Sequence, residues 1–181
     1  MNTTPSPVVT DLAHNNPRSP HWETVKKAYL SKPENQYCIF CGPGSEKLYT
    51  IEVHHWFPFE ICHHLGLPVY ELDERNFVSV CETTHGKPAP NHHLVVAHLG
   101  SYFSFNRNVK DDVAKYKALP GEKIKLLENY KLEEKNRPKP FDQWTEEEKI
   151  AFRKDLSATL PLDQNLVKKY YPDGLPKSIY D

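Results

Sequence analysis

The segment Cys38-Ile39-Phe40-Cys41-Gly42-Pro43-Gly44 constrains this chain more than any other stretch. Two thiolates separated by two residues can point inward from a single turn, which supplies half of a tetrahedral zinc site. A thiol redox pair has the same spacing. Such a pair opens a helix, however, and Gly42-Pro43-Gly44 blocks one here. The remaining ligands must come from downstream. Cys81, at the end of a predicted strand, is the first choice for the third. The fourth stays open between His85, His92 and Cys62, and Cys62 is more simply read as a buried thiol in a loop.

Eight of the ten histidines fall between His54 and His98, with adjacent pairs at His54-His55 and His92-His93. Imidazole binds metals and moves protons near neutral pH. Neighbouring strand residues point to opposite faces. Where a strand ends and the chain turns, two adjacent rings can still serve one site, one ligating a cation and the other left free as a base. His93 offers a second cation ligand from a short helix. His98 lies five positions further on, about 140° around an α-helix, so it is not expected on the same ion as His93.

A chain of 181 residues fits one domain with an extension. Hydrophobic residues make up 38%, with 16 Pro and 7 Gly, so a modest core is expected. The formal net charge is -1, so bulk charge does not advertise a nucleic-acid partner. Residues 1–17 carry neither a basic nor an apolar signal-like stretch, and no run is apolar enough to span a membrane. A reducing, cytoplasmic compartment is expected, where clustered Cys and His bind metal.

The predicted organisation is a disordered tail over 1–17, a core domain over 18–115 and a helical extension over 116–181. Ser19-Pro20 starts a helix that runs to Leu30. Strands are predicted at 48–53 and 77–80, separated by a long irregular loop over 57–74. A short helix over 92–99 stops at Gly100. Further helices are expected over 111–119 and 122–135. Thr145 to Glu148 matches a capping box that opens a helix to about residue 156. The tail from Pro161 has no assignment.

Taken in order, Cys-x-x-Cys, Glu52-Val53-His54-His55, a Pro-containing loop, Asn76-Phe77-Val78-Ser79-Val80-Cys81 and His92-His93-Leu94 resemble the HNH endonuclease family. Arg18-Ser19-Pro20-His21-Trp22 is similar to a helix start in its phage-type members. The likeness spans about residues 18–113 and leaves the C-terminal third uncovered. It implies an α+β fold: a ββα-metal (His-Me finger) core with structural zinc, flanked by an N-terminal helix and a C-terminal helical extension. It implies DNA phosphodiester hydrolysis, with His54 and His93 on a catalytic Mg²⁺, Mn²⁺, Ni²⁺ or Zn²⁺. His55 would be the general base, and Asn76 would orient it. The likeness favours His92 over His85 as the fourth zinc ligand beside Cys38, Cys41 and Cys81, although the family has a cysteine at that place and a Gly-His where Ala97-His98 stands. DNA contacts are expected from His98, Asn106, Arg107 and Lys110. The alternative is a zinc-stabilised module that binds nucleic acid or protein without chemistry. Self-association stays open.

Overall fold

Residues 18–82, 90–100, 105–113 and 143–176 are described by the computed structural model. The expected helices over 111–119 and 122–135 lie largely outside them, as does the predicted domain boundary at 115/116.

Helix α1 (Trp22–Leu30) starts later than Ser19-Pro20 suggested. Ser19 to His21 form the lead-in turn, in which the Trp22 amide donates to the Ser19 carbonyl at 3.0 Å. The helix buries Trp22, Val25 and Tyr29 along one stripe, the spacing of an amphipathic helix.

Strand β1 (Thr50–His55) pairs antiparallel with β2 (Phe77–Glu82), in a register that sets His54 opposite Val78 and His55 opposite Phe77. The first strand sits two residues later than predicted. Leu48 is left 60% exposed after a short 3-10 turn at Ser45–Lys47, so pairing begins only at Thr50. Residue alternation then makes the hairpin two-faced. Val78 and Val80 pack toward Val95 and Val96 of the following turn. Val53 and Phe77 pack toward Trp22, Val25 and Tyr29 of α1.

The expected loop over 57–74 is instead structured. It contains helix α2 (Phe59–His64) and a 3-10 turn at Pro68–Glu71. Phe59, Ile61 and Cys62 turn into the core, and burial pushes the Cys62 thiol up.

After β2 the chain forms a single π-helical turn, His93–Ala97, which ends before Gly100 at φ 80°. Near the C-terminus the capping box is present, with the Thr145 side chain accepting from the Glu148 amide. Helix α3 (Glu146–Thr159) follows. Helix α4 (Gln164–Tyr170), capped by Asp163, occupies the segment that had no assignment. Phe152, Leu156 and Leu160 join Phe57, Ile61, Leu65 and Tyr70 in one apolar cluster. The C-terminal helices therefore dock on the core. Each fully buried Leu or Phe there contributes roughly 1.5–3 kcal/mol. Tyr70 reaches across to donate its hydroxyl to the Leu160 carbonyl at 2.6 Å. Among the described residues no helix is long and apolar enough to cross a membrane.

Candidate metal centre

Gly42 adopts φ 82°, a conformation that L side chains rarely take. This lets the chain fold back after Cys41, with the Gly42 amide donating to the Cys38 carbonyl at 2.8 Å. Ser45 Oγ accepts from the Cys38 amide at 3.0 Å and donates to the Gly42 carbonyl at 2.8 Å. The Ile39 amide donates to the Ser79 carbonyl at 2.9 Å, pinning the knuckle to β2.

Cys38 and Cys41 from this knuckle meet Cys81 from β2 and His92 from the start of the π turn. His92 Nδ1 lies 3.5, 3.3 and 3.3 Å from the sulfurs of Cys38, Cys41 and Cys81. The Cys41 and Cys81 sulfurs are 3.9 Å apart. A tetrahedron with ordinary zinc bond lengths has S···S edges of about 3.8 Å and N···S edges of about 3.6 Å. The donor set thus fits zinc in both spacing and chemistry. Cys38, Cys81 and His92 are each 0% exposed. The Cys38 thiol is pushed down by hydrogen bonds from the Cys41 and Cys81 thiols, and those two are pushed up in return. Three thiolates this close need a cation before all can ionise. Phe40 stacks on the His92 ring with centroids 5.0 Å apart, walling the site from water. His85, the rival fourth ligand, lies outside the described residues.

A second cluster sits one residue away along the chain. His54 at the end of β1 meets His93 and His98 from the two ends of the π turn. Their ligand nitrogens all lie within 4.8 Å of one another. The His98 ring centroid is 4.8 Å from that of His54 and 4.9 Å from that of His93. This placement departs from the α-helical expectation. The His98 amide donates to the His93 carbonyl at 3.0 Å, a five-residue bond in place of the four-residue bond of an α-helix. The wider turn returns residue 98 to the side of residue 93. His98, expected as a DNA contact, thus joins the metal-type cluster. Burial, followed by the neighbouring charges of His98 and His93, holds His54 well below the usual imidazole range. Its Nε2 is buried with no hydrogen-bond partner among the described residues. Three imidazole nitrogens this close suit one shared cation. Glu82 Oε1 stands 3.5 Å from His93 Nδ1.

His55 leaves β1 on the opposite face. Its ring packs against Trp22, Phe77 and Phe59, at centroid distances of 4.7, 5.1 and 5.4 Å, and is 5% exposed. Burial, then the charge of Arg18, pushes it down to about 3. Its Nε2 lies 3.0 Å from the Glu71 carbonyl. A carbonyl only accepts, so Nε2 carries the hydrogen and Nδ1 is left as the proton acceptor.

Asn76 is fully buried and closes the loop behind His55. Its Oδ1 accepts from the Phe57 amide at 2.7 Å, and its Nδ2 donates to the carbonyls of Phe57 and Tyr70 at 2.9 and 3.0 Å. The Trp56 amide donates to the Asn76 carbonyl at 2.8 Å.

The other residues expected at a DNA surface are engaged within the fold. Asn106 is 5% exposed and donates to Asp112 at 2.7 Å. Arg107 pairs with Asp155 and lies over the Phe57 ring. Lys110 donates to the Arg75 carbonyl at 2.7 Å and lies 4.5 Å from the Trp56 ring centroid.

Sequence reading missed Glu71, which is 0% exposed and held by Ser19 and His63. Its contacts span 52 positions in the chain, so no local pattern marks it. The π turn over His93–Ala97 carries no local sequence signal, and the five-position interval to His98 read as α-helical. Comparison with protein-family models, curated proteins and solved structures returned no match to this chain.

Proposed function

We propose that the protein is a metal-dependent HNH-type endonuclease that hydrolyses DNA phosphodiester bonds on a ββα-metal core. The observation that carries this reading is the convergence of His54, His93 and His98, with the tautomer-fixed His55 next along β1. Two antiparallel strands followed by a ligand-bearing turn, beside a Cys₃His cluster, support the same architecture.

His54, His93 and His98 would hold a divalent cation, and such an ion supplies charge neutralisation at a scissile phosphate and its leaving oxygen. Imidazole ligands suit Mn²⁺, Ni²⁺ or Zn²⁺ by softness, with Mg²⁺ the harder alternative. In this reading His55 is the general base: its Nε2–H stays on the Glu71 carbonyl, and burial, holding the ring at about 3, leaves Nδ1 unprotonated and able to accept at neutral pH. Asn76 keeps the 57–70 loop in place, and with it the wall around His55. The Cys₃His cluster would be structural, since four protein ligands leave no open position for chemistry.

The test is incubation of zinc-saturated protein with supercoiled plasmid and Mg²⁺, Mn²⁺ or Ni²⁺. Metal-dependent nicking is expected, lowered on the order of 100-fold or more in His55→Ala. Binding of DNA without cleavage under every metal would favour the non-catalytic module instead, as would an undiminished His55→Ala.

A further inference from the structure

Glu71 is a carboxylate with no exposed surface at the meeting point of three segments. Its oxygens accept from the Ser19 amide at 3.0 and 3.2 Å. Oε2 accepts from His63 Nε2 of α2 at 2.8 Å. Arg18 stands 3.6 Å from Oε1, with its guanidinium 3.6 Å from the Phe59 ring centroid and 4.7 Å from that of Trp22. Those two rings also wall His55. The main-chain carbonyl of this same Glu71 receives His55 Nε2–H.

One residue thus holds the walls of the His55 chamber with its side chain and the His55 ring with its backbone. Burying a carboxylate is costly unless donors surround it. Its partners here are all donors, which a carboxylate accepts on both oxygens and a neutral amide would not.

We propose that the Glu71 carboxylate is the positioning residue for His55: by clamping Ser19, Arg18 and His63 it keeps its own carbonyl aimed at Nε2, so that Nδ1 stays the unprotonated ring nitrogen. This rests on the nuclease reading for the role of His55, but not for the geometry. Nothing in the proposal requires Glu71 to touch substrate.

The test combines ¹⁵N NMR of the histidine ring nitrogens with nicking kinetics and cation titration in zinc-saturated protein. The parent should show His55 as the single Nε2–H tautomer. Glu71→Gln places an amide among donors; it should give mixed His55 tautomers and a kcat about 100-fold lower, with KM and cation affinity unchanged. His63→Leu should move both readouts the same way by less, and His63→Gln, which restores a donor, should recover them. Leu156→Ala, in the apolar cluster, should lower thermal stability and leave the tautomer alone. If Glu71→Gln does not fold, the His63 pair decides. A parent-like tautomer and kcat in the folded variants, with only stability altered, would overturn the proposal. If the parent itself does not nick DNA, the nuclease reading fails, and the tautomer measurement alone still decides the role of Glu71.

Discussion

His93 and His98 face the same side of one turn although they lie five positions apart, because the His98 amide bonds to the His93 carbonyl at 3.0 Å. An α-helical turn would swing the second ring away by about 140°. The π geometry therefore converts a His54–His93 pair into a three-ring cluster. Turns of this kind are rare and concentrate at functional sites.

His98→Ala should weaken Mn²⁺ or Co²⁺ binding at the three-histidine cluster by at least about tenfold, comparable to the loss in His54→Ala. Calorimetric titration of zinc-saturated protein reads this directly. A residue that only met DNA would raise KM and leave cation affinity intact, so unchanged affinity in His98→Ala would remove it from the cluster.

Cys38→Ser should lose one equivalent of zinc and lower the melting temperature by about 10 °C or more, since thiolate–zinc binding is coupled to folding. Metal analysis with a thermal melt checks both. Full zinc content at parental stability would refute the assignment of the Cys₃His cluster.

Asn76→Ala should destabilise the protein by about 2–4 kcal/mol. It strands the Phe57 amide and two carbonyls that are now bonded. Asn76→Asp should be no better, because its second oxygen would face those two carbonyls. Denaturant unfolding measures both variants, and a loss below about 1 kcal/mol in Asn76→Ala would show that the loop holds without it.

His55, buried, and Glu60, half-buried, tilt the pH dependence of stability in opposite senses. His55 is pushed down from 6.5 to about 3, chiefly by burial. The unfolded chain therefore binds a proton there that the folded chain refuses, and stability falls as pH drops from 6.5 toward 3. Glu60 is pushed up from 4.5 to about 7, again chiefly by burial. The folded chain retains a proton there that the unfolded chain releases, so stability falls as pH rises from 4.5 to 7. The two oppose each other over their overlap. Glu60→Gln should leave the His55 limb unopposed, so that stability climbs more steeply with pH between 4.5 and 6.5 than in the parent. Equal slopes in parallel unfolding series would contradict this. Thiolate protonation is common to both proteins and drops out of the comparison.

The Cys₃His knuckle was legible because Cys-x-x-Cys and Gly42 are local signals. Helix α1, both strands and the capped start of α3 were legible for the same reason: periodicity and capping act over a few residues. Helix α2 was hidden by its six-residue length and its flanking Pro58 and Gly66, which read as loop punctuation. Its stability comes from packing Ile61 and Cys62 against residues far along the chain. At the candidate site, the ligand types were readable and their grouping was not. The register of a π turn decides where His98 points, and residue spacing alone assumes an α-helix. Glu71 was invisible because its partners lie on segments that only the folded chain brings together.

The most direct measurement is diffraction from zinc-containing crystals soaked in Mn²⁺, with anomalous data collected at both absorption edges. The account predicts a zinc peak among Cys38, Cys41, Cys81 and His92, and a separate manganese peak bonded to His54, His93 and His98 with the His55 ring unligated. A manganese peak elsewhere, no manganese at all, or one bonded to His55 would contradict it.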